Sequence, residues 1–553
     1  MDTQRLILFF IFSFSLLLLW DTWEKDKRPK PAPAPAAQAQ AIPGVPVPAK
    51  PLAAPAAPAA AAQATVPGSA APAAATAGEA VQVRTDLLAA EIDALGATLR
   101  RLELLKHKDQ KDPTKNLVLL GPEHAYSAQS GLTGEGMPNH RTVWRVLPGE
   151  RTLAPGAEQL QVRFAADGPN GVVVEKIYTF RRDNYLIDVA FELKNAGAAP
   201  VAAYAYYQVV RDDRAPAGEN AMMYVYTGPA YYTADKAFNK FAFSDVEKGK
   251  ANPPKDALDG WIAMVQHYFV TAWLPPEKAP REYYARKLSD GLYAAGVIIA
   301  TPPAAPGATT RVEVKLFAGP QEQQRLKQVA PGFDLVVDYG WLAIIAWPLF
   351  AVLEFFHRWS GNWGVAIILL TVLIKLLFFP LSAASYKSMA KMKLVTPRLT
   401  KLREMYGNDR AKMNQAMMEL YKTEKINPLG GCFPILVQIP VFIALYWVLL
   451  AAIELRHAPF ILWIKDLSAQ DPFYVLPVLM TVTMVLQTRM NPVPPDPVQA
   501  KVMQFMPYVF SVFFFFFPAG LVLYWVVQNL LSIVQQWHIN RTLEAEAKLK
   551  ARR

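Results

Sequence analysis

A helical membrane protein carrying one large antiparallel β domain is the fold class this sequence predicts, and three observations predict it. Apolar stretches of membrane-span character crowd the chain after Val336, with another at Leu6–Trp20. Between them, Tyr185, Ile187, Val189, Phe191 and Leu193 alternate with Asp188, Glu192 and Lys194, and Val312, Val314 and Leu316 alternate with Arg311, Glu313 and Lys315. That is the period of two of strands with one wet face. Hydrophobic residues make up 52% of the 553 and charged residues 19%, which excludes a disordered chain and leaves room for three or four domains.

The net charge of +11 becomes informative once it is placed along the chain. Residues 79–334 carry 30 basic and 30 acidic groups and balance to zero. The segment Ser382–Cys432 carries 10 basic against 4 acidic residues, and the tail from His538 carries 5 against 2. Basic charge that flanks apolar segments marks the cytoplasmic side of a membrane protein. A DNA binder would put it on a folded reading domain, so no DNA is expected as partner. The single cysteine, Cys432, excludes an internal disulfide and a cysteine-rich metal site.

Taken in order, residues 1–28 read as a transmembrane anchor. Leu6–Trp20 is fifteen residues without a charge, and the Asp21-Thr-Trp-Glu24 that follows offers no small-x-small cleavage site. Residues 29–78 form a tether, since 22 of these 50 residues are Ala and 12 are Pro. Residues 79–335 read as an antiparallel β sandwich. Further strands are expected at Val81–Val83, Leu160–Phe164, Val172–Phe180, Val201–Val210, Met222–Tyr226, Trp261–Trp273 and Leu292–Ala300. Residues 336–360, with Pro348 and Glu354 in an apolar run, suit an amphipathic helix lying in the interface. Five transmembrane helices are expected over 361–537, at Trp363–Leu381, Phe433–Ile453, Pro472–Leu486 and in Val502–Trp537. The last is 36 residues with Phe517-Pro-Ala-Gly520 near its middle, so it reads as two spans in a hairpin. The loop 382–432 is expected to be two helices, Ser385–Met405 and Arg410–Thr423, with Asp409 capping the second. Residues 538–553 are a basic tail. If 336–360 lies in the interface, the positive-inside rule puts both termini and the basic loop in the cytoplasm, with the β domain on the far side.

No nucleotide-binding loop, HExxH or paired intramembrane acids are present, so neither enzyme chemistry nor a cofactor is expected. One residue asks for a reason. Lys375 lies inside a span, where a lysine costs roughly 2.5–3.5 kcal/mol on insertion scales. It either snorkels toward headgroups or faces a water-filled cavity, and Thr371, one turn earlier on the same face, supports a polar stripe. Gln438, Gln528 and Asn529 are further polar residues within spans, none of which carries an acid to pair with Lys375. The basic loop is rich in methionine, at Met389, Met392, Met405, Met413, Met417 and Met418. That suits either a promiscuous docking surface or ordinary hairpin packing. A secondary transporter would show internal repeats and paired charges, and neither is found. A sugar-binding, mutarotase-like module would need a His/acid constellation that His107, His124, His140 and His267 do not evidently form.

Three motifs carry a resemblance: Asn427-Pro-Leu-Gly-Gly-Cys-Phe-Pro434, Leu467-Ser-Ala-Gln-Asp-Pro472 and Pro518-Ala-Gly-Leu-Val-Leu-Tyr524. With the order anchor, tether, β domain, interfacial helix and five-span core, they resemble the bacterial YidC insertases of the YidC/Oxa/Alb superfamily. The resemblance implies a bacterial inner-membrane protein whose β domain is a periplasmic super-sandwich similar to galactose-mutarotase-like folds. It implies an insertase and chaperone without its own energy source, acting on nascent membrane proteins in the bilayer. It would work alone or with the Sec translocon, and the ribosome or the signal recognition particle receptor are further candidate partners. The family's basic groove residue falls on Lys375, where many relatives have Arg. The change keeps the charge and loses the fork of donors. Thr371, Gln438 and Tyr524 fall where groove-lining residues are expected, and Trp525 stands where a second Tyr is common.

Overall fold

The computed structural model describes residues 79–553, apart from 111, 217–224, 289–290, 407–408, 425–432, 492–496 and 553. The expected anchor and tether, most of the Asn427–Pro434 motif and the first half of Met222–Tyr226 therefore lie outside the described residues. Among the described residues the chain divides into two compact units, one holding 79–340 with Ala451–Glu454 and the other 341–450 with 455–553.

The first unit is built on two antiparallel sheets. One sheet has the order β1 (Ala80–Arg84), β2 (Leu88–Asp93), β3 (Thr98–Lys108), β5 (Ser127–Thr133), β10 (Tyr204–Asp212), β16 (Leu292–Ala300) and β15 (Arg281–Lys287), with β4 (Asn116–Leu120) also on β3. The other runs β12 (Ala237–Lys240), β11 (Gly228–Thr233), β13 (Trp261–Gln266), β14 (Phe269–Leu274), β17 (Thr309–Pro320), β9 (Leu186–Asn195), β8 (Val172–Arg181), β7 (Gln159–Asp167) and β6 (Arg145–Val146). The two segments of clearest alternation, β9 and β17, are neighbours, with Val189 opposite Val314 and Phe191 opposite Val312. Their apolar faces are buried as the period of two requires. The wet face is narrower than expected. Glu192 and Lys194 reach solvent, but Asp188 is buried and pairs with Arg181. Trp261–Trp273, read as one strand, is a hairpin. Its two strands meet at Gln266 opposite Phe269, and Tyr268 takes a left-handed φ of 67° in the turn. Two polar side chains tie the sheets together. From β8, Lys176 Nζ donates to Gly96 O at 2.9 Å and Ser130 O at 3.2 Å, and Tyr178 Oη donates to Ala97 O at 2.6 Å. Short helices α1 (Phe243–Glu247) and α2 (Gln323–Val329) complete the unit.

The second unit is helical: α3 (Ala343–Ser360), α4 (Trp363–Leu377), α5 (Phe379–Tyr406), α6 (Arg410–Thr423), α7 (Phe433–Ala451), α8 (Val475–Met490), α9 (Pro497–Phe514) and α10 (Ala519–Arg552). Gly361, at φ 67°, ends α3, and Asn362 caps α4 by accepting from Val365 N at 3.1 Å. The α4–α5 pair bends by 66° at Phe378, and Pro380 in the first turn of α5 needs no N–H there. Asp409 accepts from Lys412 N at 3.1 Å and caps α6, as expected of it. The chain breaks between α9 and α10 at the Phe517–Gly520 segment, where the sequence places a turn. Among the described residues one helix, Gly340–Ser360, is by itself long and apolar enough to cross a membrane. It exposes large apolar side chains, with Trp341 81% and Ile344 83% exposed.

Candidate functional site

The helices α4, α5, α7, α8 and α10 enclose a cavity of about 370 Å³. Lys375 reaches it from the last turn of α4, 7% exposed. Its Nζ donates to Ser532 Oγ at 2.6 Å, and that hydroxyl donates in turn to Gln528 O at 2.7 Å. Among the described residues no carboxylate pairs with Lys375, so the cation is held by a neutral acceptor alone. Gln438 on α7 and Gln528 on α10 stand in the same wall. Gln438 Nε2 and Gln528 Oε1 are buried and have no hydrogen-bond partner among the described residues. Both amides thus keep hydrogen-bonding capacity that no described residue uses. Part of the remaining wall is aromatic: Phe442 stacks on Tyr524 at 6.2 Å and meets Trp525 edge-on at 4.5 Å, and hydroxyls, amides and methionines line the rest. One charge, scattered amides and an aromatic plate can attract and orient a polar chain segment, but they form no nucleophile–base pair with an oxyanion hole.

Distant parts of the sequence place these groups. The Leu467–Pro472 segment meets the start of α10, where Ala519 N donates to Ala469 O at 2.7 Å and Gly520 N to Leu467 O at 2.8 Å. Buried Asp471 accepts from Trp463 Nε1 at 2.9 Å, Phe473 N at 3.0 Å and Leu476 N at 2.8 Å, which fixes the start of α8. Two of the three motifs are thus one structural joint.

Comparison with known proteins meets this arrangement along its whole length. Residues 80–352 match the model of the YidC periplasmic domain, and residues 355–546 match that of the 60Kd inner membrane protein. The chain is 53% identical to the membrane protein insertase YidC of Nitrosospira multiformis, over 99% of this chain and 98% of the relative. It is 55% identical to that of Methylobacillus flagellatus, over 100% and 99%. The chain belongs to the YidC family of membrane protein insertases. It is an inner-membrane protein with a periplasmic domain, an insertase and not an enzyme. A crystal structure of an active YidC insertase with its first transmembrane domain resolved aligns at 18% identity and TM-score 0.39, over 83% of this chain and 92% of that one.

Of the candidate groove residues, Lys375, Gln438, Tyr524, Trp525 and Gln528 line the cavity, and so does Asn529, noted in the sequence only as a polar residue within a span. Thr371 does not. It is fully buried, and its hydroxyl donates to Ile367 O at 2.6 Å on its own helix. The six methionines divide. Met389 lines the cavity, Met392 and Met417 pack on Val395, Leu399 and Tyr421 inside the hairpin, and Met413 is half-buried. Met405 and Met418 are exposed. Sequence reasoning missed Ser382, Ser385, Gln487, Asn491 and Ser532. Their signal is helical spacing: Tyr524, Gln528 and Ser532 recur every four residues, as do Gln487 and Asn491. Among the described residues no group of three or more His, Cys, Asp or Glu could hold a metal ion.

Proposed function

We propose that this protein inserts, folds and helps assemble integral inner-membrane proteins by lending the cavity around Lys375 to the hydrophilic end of a nascent chain. The observation that carries the reading is a buried cation with no carboxylate partner among the described residues, set beside an unpartnered amide donor and acceptor. Acidic and polar groups of a guest are drawn to Lys375, while its apolar segment leaves for the lipid. Burial of that segment, at about 25 cal/mol per Å², supplies the driving force without nucleotide hydrolysis. The exposed methionines of the α5–α6 hairpin offer adaptable contacts for the incoming segment. In this reading the core has five spans plus the N-terminal anchor, both termini are cytoplasmic, and the Sec translocon or the ribosome is an optional partner.

The test is insertion of a short single-span protein with an acidic translocated tail into proteoliposomes holding only this protein. Lys375→Arg keeps the charge and should insert at the wild-type rate. Lys375→Ala should be slower by about tenfold, equivalent to ~1.4 kcal/mol of lost attraction. Equal rates for all three proteins would leave Lys375 as a snorkelling residue and remove the electrostatic step.

A further inference from the structure

Outside the groove, against the other side of Lys375, lies a second cavity of about 270 Å³. Val372, Leu376 and Phe379 form one wall, Leu531, Val534 and Ile539 of α10 form the other, and the lining is almost wholly apolar. Lys375 touches both cavities. Its ammonium donates to Ser532, so the surface it turns to the second cavity is its methylene stem. Gln535 is also in the wall, and its amide donates to Phe379 O at 3.3 Å.

The cavity is continuous with an apolar outer surface, since Leu376, Leu377 and Val534 are 63%, 73% and 63% exposed. Its far rim is basic. Val534, His538 and Arg541 follow one another at four and three residues and so share a face of α10. Arg541 lies about 10 Å beyond Val534 by helix rise. Both His538 and Arg541 are exposed, and the Arg541 guanidinium sits over the Trp537 ring at 5.3 Å. Lys548, Lys550, Arg552 and Arg553 follow in the sequence.

We propose that this cavity seats an acyl chain of an anionic glycerophospholipid whose phosphate is bound by Arg541 and His538. The lining admits hydrocarbon and offers a polar guest nothing. A guest helix, about 10–12 Å across, is too wide to enter. Arg541 stands about two turns beyond Val534, and its long side chain leans back toward the helix N-terminus, which brings the guanidinium toward the mouth of the cavity. A free phosphate could use the same guanidinium but gains nothing from the cavity. With the chain seated, the Lys375 stem is covered on the side it turns to this second cavity.

The experiment is native mass spectrometry of the full-length protein in neutral detergent, equilibrated with equal phosphatidylglycerol and phosphatidylcholine of matched chains. Wild type should retain phosphatidylglycerol severalfold over phosphatidylcholine. Leu531→Trp and Val534→Trp, which fill the cavity, should lose the retained lipid. Arg541→Gln combined with His538→Gln, two surface changes that leave the helix intact, should bind both lipids equally. Inorganic phosphate should displace nothing. Retention unchanged in the filled variants, a headgroup preference that survives loss of both basic groups, or displacement by phosphate would each overturn the proposal. Lipid retention is read without any insertion assay, so failure here and failure of the Lys375 reading are distinguishable.

Discussion

A lysine ammonium inside a helical bundle needs an acceptor, and Lys375 meets that need with Ser532, 157 residues away. A second buried group makes its own prediction in the β unit. His140 stands against Tyr206 Oη, and its backbone N donates to the same oxygen at 3.1 Å. Burial, helped by the positive charges of Arg141, Lys176 and Arg286, lowers its pKa to about 4. The unfolded chain takes up that proton first, near the ordinary value of about 6.5. The stability contributed by a neutral His140 is therefore fully present above pH 6.5 and is lost as pH falls toward 4. The loss is on the order of 2–3 kcal/mol. In calorimetry the β transition should drop steeply between pH 6.5 and 4.5, and His140→Gln should flatten that drop. An identical slope in the variant would assign the acid sensitivity elsewhere. None of this was legible from the sequence, because a histidine between strands says nothing of the cations that fold around it.

At the scale of elements, the α5–α6 hairpin was readable in outline. Its helical spacing, its Asp409 cap and its methionines all stand in the sequence. What the sequence left open, docking surface or packing, is divided by the fold. Met392 and Met417 pack, partly buried, against Val395, Leu399 and Tyr421, while Met405 and Met418 face outward. Met392→Asp or Met417→Asp buries a carboxylate without a partner and should unravel the hairpin, seen as rapid cleavage in limited proteolysis. Met405→Asp and Met418→Asp should leave cleavage at the wild-type rate yet reduce crosslinking to an apolar nascent segment. Equal crosslinking would leave the outer methionines as surface only. Strands show the converse limit. β9 and β17 were legible because one face is uniformly apolar. The Trp261–Trp273 hairpin was not, because both its strands are buried and its two-residue turn carries no glycine.

For the molecule as a whole, the number of bilayer crossings turns on the helix Gly340–Ser360. The helix Gly340–Ser360 passes the length and hydropathy criterion, whereas the charge asymmetry argues for leaving it in the interface. Cysteine mapping decides between them. In a Cys432→Ser background, Lys255→Cys should react with a membrane-impermeant maleimide in spheroplasts, and Lys401→Cys only after the membrane is broken. Labelling of both in intact spheroplasts would mean that Gly340–Ser360 crosses and that the hairpin shares a side with the β unit.

By itself the sequence determined the division into a β unit and a helical unit, the break between α9 and α10, the hairpin and the presence of one costly intramembrane cation. These are local facts, written in hydropathy, period and charge within a few turns of chain. Only the tertiary structure decided that Thr371 turns back on its own helix while Ser532 takes the lysine. It likewise joined the Leu467–Pro472 segment to the start of α10, and split the methionines between interior and surface. The physical reason is that a hydrogen-bond partner or a buried face is a property of two chain segments at once. Spacing along one helix places a side chain on a face, but the neighbouring helix decides what that face meets.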